Sequence, residues 1–303
     1  MLCTVQDSGR FQQAHLGITN GGPADKYAYK LANKLLANKD NVATLELSFG
    51  GLVLQANCHT SIAVTGADIP FSINGQVKDN WQSHKVASGD KIEFGYASEG
   101  CRVYLAVAGG FMVNPQFGSV STVVREKIGG LNGETLKAGQ ELAVSKTDAR
   151  PLFRLCETLI PTYKDEITLR VVTGYQASEF SRVQLNKFFS SVYEVSQQSD
   201  RMGYRLIGPS IKSDISQMYS EGISQGAIQV PPDGQPIVLG NDRQTIGGYP
   251  KIGSVLSLDL DRLMQCTAGN KVNFEPISIH LAHNLLLLAK QQIDQAKLIQ
   301  VPS

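Results

Sequence analysis

Apolar positions recur with helical spacing at only a few places in this chain. After Gly22–Pro23, residues Ala28, Leu31, Ala32, Leu35 and Leu36 fall at i, i+3, i+4, i+7 and i+8, which predicts a helix stopping near Asn38. Asp25 stands in its first turn, where the helix dipole favours an anion. A second helix is predicted from about Ser278 to Lys297, with Leu281, Leu285, Leu288 and Ala296 along one stripe. A shorter one is expected over Gln176–Phe189, around Phe180 and Leu185. Elsewhere the apolar residues come in short runs cut by Gly, Asn and Asp: Gly51–Leu54, Ser61–Val64, Lys91–Gly95, Arg102–Val107, Leu169–Val172 and Ser254–Leu258. Runs repeating every ten residues or so, separated by turn signals, favour β-barrels or sandwiches over βαβ units.

Two echoes point to a doubled architecture. Ile62–Asp68 (IAVTGAD) resembles Leu169–Gln176 (LRVVTGYQ), and Gly89–Gly95 resembles Gly269–Glu275. The polar stretch Ser145–Asp165, carrying Pro151 and Pro161, is the expected linker. The chain therefore reads as two β-rich domains, residues 1–150 and 151–303, with few helices.

One block breaks this rhythm. Gly226–Gly253 (GAIQVPPDGQPIVLGNDRQTIGGYPKIG) packs six Gly and four Pro into 28 residues, around two strand-like pieces at Ala227–Val230 and Pro236–Leu239. Gly and Pro at that density fix the backbone, because one supplies positive φ and the other presets φ near −65°. Gln229, Asp233, Gln235, Asp242, Arg243, Gln244, Thr245, Tyr249 and Lys251 lie between the turns. Rigid backbone presenting amides, hydroxyls and a few charges has the character of a pocket lining.

Bulk composition narrows the partners. Hydrophobic content of 42% with 18% charged residues is that of a globular chain, and 303 residues accommodate two domains. A net charge of +1 argues against a nucleic-acid or anionic-membrane partner, which would need a basic face. Five scattered cysteines without a CxxC pair exclude zinc-ribbon and thioredoxin readings and imply reduced thiols. With no signal-peptide pattern at the start and no long apolar run, a cytoplasmic protein is expected.

Familiar catalytic signatures are mostly missing. No Gly-Lys pair occurs, so no P-loop is present, and there is neither HExxH nor an Ala-Met-Lys-Met biotin attachment site. His280 and His283 would share a helix face without a third ligand, so no metal site is assigned. Gly222–Gly226 (GISQG) fits GxSxG around Ser224, but a strand and Pro231–Pro232 follow where a nucleophile elbow needs a helix. The remaining polar groups are distributed. Thr4–Arg10 (TVQDSGR) supplies Gln6, Asp7 and Arg10; Phe117–Thr122 (FGSVST) supplies Ser119, Ser121 and Thr122; Ser199–Gly208 (SDRMGYRLIG) supplies Arg201 and Arg205. Taken singly, each reads equally well as a surface ion pair, a local cap or an internal salt bridge.

In order, TVQDSGR, GITNGGPADKYAYKLANKLLAN, TLELSFGG, VTGAD, YLAVAGG, FGSVST, SDRMGYRLIGP and the Gly226–Gly253 block resemble the family of allophanate hydrolase subunit 2 and the C subunit of 5-oxoprolinase. The likeness runs from Thr4 to about Glu275, and the PPDGQP…DRQT.GGYP stretch is its most specific part. It implies two cyclophilin-like β-barrel subdomains and two companion proteins: a B-type subunit (the subunit-1 homologue) and a lactam-utilisation A-type subunit. Three departures are visible. The family carries a further strand before TVQD; its helix-start motif has Ser-Gly-Ala where Gly21-Gly22-Pro23 precede Ala24-Asp25; and a basic residue often stands where this chain has Val120.

Two chemistries come with the resemblance. In an ATP-dependent 5-oxoprolinase, ATP with Mg²⁺ drives the opening of a lactam to glutamate, and the site needs cations for phosphates and donors for an oxyanion. In a biotin-dependent urea or amide carboxylase, a partner's carboxybiotin gives CO₂ to an amide nitrogen, which needs donors on the ureido oxygen and a base. The standalone chain favours the first. The resemblance then implies that Arg201, Arg205 and Lys251 hold an anion and that Asp233 or Asp242 acts as base or on Mg²⁺. Gln229, Gln235, Gln244 and Thr245 would orient a small-molecule amide substrate, with Tyr249, Gln6, Asp7, Arg10, Ser119, Ser121 and Thr122 completing the candidate set. A non-enzymatic member, binding a kinase-inhibitor-like subunit-1 homologue through a protein interface, is the remaining alternative.

Overall fold

The computed structural model describes residues 2–148, 150–215 and 218–302. Its Cα packing separates two compact units, one of Met1–Phe11, Gly21–Tyr163 and Gln292–Ser303, the other of Gln12–Asn20 and Lys164–Gln291. The expected break at 150 thus moves to Tyr163, and each unit also takes a short piece from the far side of it. The reason lies in the supposed linker, whose Leu152–Leu155 is a strand hydrogen-bonded to Leu298–Val301 and to Gln82.

In the first unit the strands are β1 (Leu2–Gln6), β2 (Thr44–Ser48), β3 (Val53–Gln55), β4 (Thr60–Asp68), β5 (Phe71–Ile73), β6 (Gln76–Lys78), β7 (Gln82–Val86), β8 (Lys91–Phe94), β9 (Glu99–Val107) and β10 (Leu152–Leu155). Seven strands run in the order β1-β2-β9-β4-β7-β10 followed by the final strand, Leu298–Val301; β3-β8-β5-β6 form a second sheet. Helix α1 (Lys26–Leu35) covers one face of the larger sheet. Its buried stripe of Ala28, Leu31, Ala32 and Leu35 packs on Trp81, Tyr104, Ala106 and Leu155. The period-2 pleat of β9 serves both sides, because Val103, Leu105 and Val107 enter the other core with Val5, Leu45, Leu47, Val64, Phe71 and Phe94. A sheet buried on both faces explains why β4 and β9 read as unbroken apolar runs. Asp25 caps α1, its side chain accepting from the Ala28 amide at 2.9 Å.

In the second unit β11 (Glu166–Thr173), β12 (Tyr193–Val195), β13 (Gly203–Ile207), β15 (Ala227–Gln229), β16 (Ile237–Leu239), β18 (Lys251–Val255) and β19 (Lys271–Pro276) close into a barrel, β11-β18-β15-β16-β13-β12-β19. A separate two-stranded flap joins β14 (Glu221–Gly222) to β17 (Ile246–Gly247). Helix α2 (Arg182–Ser190), capped by Ser181, brings Phe188 to a stacked contact with Phe274 at 4.4 Å. The predicted helix over Gln176–Phe189 is therefore two pieces, a 3-10 turn at Tyr175–Glu179 and then α2.

Two further expectations change. The run Ser254–Leu258 splits, because β18 ends at Val255 and α3 (Ser257–Leu263) begins; Leu256, Leu260, Leu263 and Met264 all fall on its buried side. Helix α4 (Ile279–Asp294) forms as predicted, but Leu281 and Leu288 of the expected stripe are exposed while Ala282 is buried. A helix with apolar residues around most of its circumference gives no single stripe to read. β20 (Leu298–Val301) then ends the larger sheet of the first unit. No helix among the described residues is long and apolar enough to cross a membrane. All five cysteines are free thiols, three buried; burial pushes Cys3 up to about 12, which makes that thiol inert.

Candidate functional site

The residues singled out from the sequence fall into two clusters, one in each unit. In the first unit, TVQDSGR and FGSVST form one buried network. The Asp7 carboxylate accepts from Ser119 Oγ at 2.5 Å, Ser121 Oγ at 2.7 Å, the Val120 amide at 2.9 Å and the Gly9 amide at 3.0 Å. Arg10, only 1% exposed, donates to the carbonyls of Gln116 (3.0 Å), Ser119 (3.3 Å) and Ser121 (2.9 Å). Gln6 donates to Thr4 Oγ1 and to the Thr122 carbonyl, both at 3.0 Å, and the Thr122 hydroxyl donates to the Val5 carbonyl. These groups point at backbone and pin the 116–122 loop to the first strand. Asp7 and Arg10 are thus buried, where a surface ion pair was one of the sequence readings.

In the second unit, the Gly226–Gly253 block supplies barrel strands β15 and β16, the flap strand β17 and the start of β18. β15 and β16 form a hairpin whose PPDGQP loop turns at Gly234 (φ +76), the Gly234 amide donating to the Pro231 carbonyl at 2.9 Å. A Cβ there would lie 2.1 Å from Ser210 Oγ, so both the backbone angle and the space require glycine. Gln235 braces the hairpin by bonding both the amide (2.9 Å) and the carbonyl (3.2 Å) of Gly208. Asp233 accepts from Arg205 at 3.0 Å and from the Gln235 amide at 3.0 Å.

Past β16, Asp242 meets Arg201 in a two-pronged buried pair, Nε–Oδ2 2.8 Å and Nη2–Oδ1 2.9 Å, and the Asp242 amide donates to the Arg201 carbonyl. A guanidinium bound along both carboxylate oxygens fixes the orientation of both side chains. Arg243 donates to the Ile223 carbonyl and to Asn20, and burial lowers its proton affinity. Gln244 and Tyr249 are exposed on the connection to β18, and the Thr245 carbonyl accepts from the Ile223 amide.

The remaining two candidates, Gln229 and Lys251, are paired directly across β15 and β18 beside a register irregularity. Lys251 reaches out to Glu221 on the flap. Glu221 also accepts from Gln176 Nε2 at 2.7 Å and from the Tyr175 hydroxyl, while Gln176 Oε1 accepts from the Lys251 amide at 2.9 Å. The ammonium of Lys251, then the Tyr175 hydroxyl, hold the Glu221 carboxyl below its ordinary value; the same hydrogen bond pushes the Tyr175 phenol up. Tyr175, Gln176 and Glu221 were missed by sequence reasoning. Only the echo at Leu169–Gln176 touched two of them, and Glu221 stands alone among serines and glycines.

The sequence-chosen residues are thus only partly brought together. Arg201 with Asp242, Arg205 with Asp233, and Lys251 with Gln229 are neighbours, whereas Gln235 serves the turn. Each of the three candidate cations is matched by one carboxylate. No group of three or more His, Cys, Asp or Glu converges among the described residues, and Ser224 lies in a turn leading into β15.

Comparison with known proteins agrees with this architecture. Residues 16–276 match the family described as carboxyltransferase domain, subdomain A and B. The chain is 34% identical to the C subunit of 5-oxoprolinase from Haemophilus influenzae over 98% of its own length and 95% of that protein's. It is 36% identical to the protein of the same name in Escherichia coli, covering 93% of this chain and 90% of that one. Its fold superposes on the crystal structure of the Kluyveromyces lactis urea carboxylase with a TM-score of 0.91 at 28% identity, covering 99% of this chain and 29% of that much longer one. The chain belongs to the carboxyltransferase domain, subdomain A and B family.

Proposed function

We propose that this chain is the C-type subunit of a cytoplasmic, ATP-dependent 5-oxoprolinase, a hydrolase complex that opens the lactam of 5-oxoproline to glutamate together with A- and B-type subunits. The observation that carries the reading is likeness to two proteins named as the C subunit of 5-oxoprolinase, along nearly the whole of each chain. The geometry adds a division of labour. Arg201, Arg205 and Lys251 are each neutralised by a carboxylate, and no carboxylate cluster forms among the described residues. This donor set does not fit a triphosphate with Mg²⁺, so nucleotide binding falls to the companion proteins. What the second unit offers is largely neutral: side-chain amides, hydroxyls and a lysine already balanced, suited to orienting the amide group of a substrate. On this reading Asp242 is a positioning residue that fixes Arg201 and the strand around it.

Urea carboxylase chemistry is the second reading, favoured by the close superposition on that enzyme. The same neutral donors would suit a ureido oxygen brought by a partner's biotin. Reconstitution with A- and B-type subunits separates the two readings. 5-Oxoproline-dependent ADP and glutamate formation supports the first. Absence of that turnover, with carboxylation of urea when a biotin carboxylase and carrier are supplied, replaces it by the second.

A further inference from the structure

One cation of the Gly226–Gly253 block differs from its neighbours. Arg201, Arg205 and Lys251 each end on a carboxylate, whereas Arg243 pairs with none among the described residues. Its guanidinium rests on neutral oxygens. Nε donates to the Ile223 carbonyl at 3.2 Å, Nη2 to Asn20 Oδ1 at 3.1 Å, and Nη1 to the Gly240 carbonyl at 3.5 Å, the outer limit of a hydrogen bond. A guanidinium carries five N–H groups, so one on each terminal nitrogen has no acceptor among the described residues. Two N–H groups on adjacent nitrogens are what a carboxylate takes in a two-pronged pair. Asp242, next in the chain, already spends both oxygens on Arg201. Burial lowers the proton affinity of the partly buried Arg243, and the charge of Asp242 offsets this only in part. A desolvated cation without its own counter-charge carries a cost that an incoming anion removes. The side chain is also held ready. Thr19, 1% exposed, donates to the Arg243 carbonyl at 2.9 Å and Asn20 takes the guanidinium, so two motifs 224 and 223 positions apart meet at one residue.

We propose that Arg243 is the residue by which this chain binds the carboxylate of a small-molecule substrate. Charge and shape decide the class. Arg201, Asp242 and Arg243 sum to one positive charge, which a monoanion balances. A phosphate dianion would bring a second negative charge beside Asp242 that nothing in the group offsets. The planar fork of the guanidinium matches a planar carboxylate. Thr19 and Asn20 are positioning residues, one fixing the backbone of Arg243 and the other its guanidinium. A site of this kind favours a substrate that carries a carboxylate over urea, which has none.

Naming that carboxylate as the one on 5-oxoproline rests on the proposed function, but the anion site is tested without ATP or partners, so the two fail separately. The full chain, ¹⁵N-labelled, is titrated at constant ionic strength while the Arg243 Nε–H resonance is followed, identified by its loss in Arg243→Lys. The probes are 5-oxoproline, 2-pyrrolidinone (the same lactam without a carboxylate) and inorganic phosphate. The expected result is a saturable shift with 5-oxoproline and none with the other two. In the complex reconstituted with A- and B-type subunits, Arg243→Lys keeps the charge and removes the fork. It should raise KM for 5-oxoproline roughly tenfold and leave kcat within about twofold, a split that a merely structural role would not produce. No response to 5-oxoproline, an equal response to 2-pyrrolidinone or phosphate, or an unchanged KM overturns the proposal. A chain that responds to 5-oxoproline within a complex that does not turn it over would keep the carboxylate site and remove the 5-oxoprolinase reading.

Discussion

The two polar clusters use nearly the same residue types and differ in how they are finished. Around Asp7 and Arg10, four donors meet one carboxylate and one guanidinium meets three carbonyls, all inside the protein. Gln6 Oε1 is left without a partner there, but Gln6 is fully buried and its neighbours turn inward to backbone. Around Glu221, side chains reach solvent, a flap of two residue pairs stands over the barrel wall, and a buried donor, Gln229 Nε2, packs against Gly247. The first cluster directs its bonds to backbone and acts as a brace. The second ties a flap strand to the barrel wall through Glu221 and Lys251. The lesson is to follow where hydrogen bonds end: polar residues alone do not separate scaffold from site.

The sharpest way to break this contrast is to remove Asp7. Asp7→Ala strands two hydroxyls and two amides in the interior, so a loss of about 3–5 kcal/mol in urea unfolding is expected. A loss near zero would mean the brace is idle. Asp242→Ala should cost about as much, on the order of 3–5 kcal/mol, because Arg201 is then buried without its partner. The double variant Arg201→Met/Asp242→Leu should recover most of that stability, a pattern that a purely catalytic Asp242 would not produce. Gln229→Leu inverts the pattern, with stability expected within ~1 kcal/mol of the parent, since an unsatisfied donor is replaced by an apolar group of similar size.

Acid should open the flap, and the sign follows from the carboxyl. Glu221 is held below its ordinary value in the folded chain, so the latch contributes fully above the unfolded carboxylate range and fades as pH falls through the lowered folded value. Faster amide exchange at Gly222 and Gly247 below that point, with the Asp7 loop unchanged, is the expected observation. The smallest effect belongs to Arg205→Ala. Its pair with Asp233 is surface-exposed, and the change in stability should stay within ~1 kcal/mol.

Helix α1 was legible because its apolar residues keep helical spacing against a polar face, and the 226–253 block because Gly and Pro there answer to backbone geometry. The second unit's polar latch was not, because Tyr175, Gln176 and Glu221 come from a 3-10 turn and a two-residue strand with no periodicity to announce them. Arg201, Arg205 and Lys251 were legible as cations but not as neutralised ones, since the pairings span 41, 28 and 30 positions of sequence. Apolar length misled twice: at Ser254–Leu258, where a strand runs straight into α3, and in α4, whose leucines surround the helix.

The contrast between brace and site is tested most directly by 5-oxoproline-dependent ATP hydrolysis in the reconstituted complex carrying Arg243→Lys, with urea unfolding of the same variant alongside. The expected result is turnover below saturation reduced roughly tenfold, with the unfolding midpoint unchanged. Full turnover from a stably folded Arg243→Lys complex would contradict it, and would return Arg243 to its loop as an ordinary structural residue.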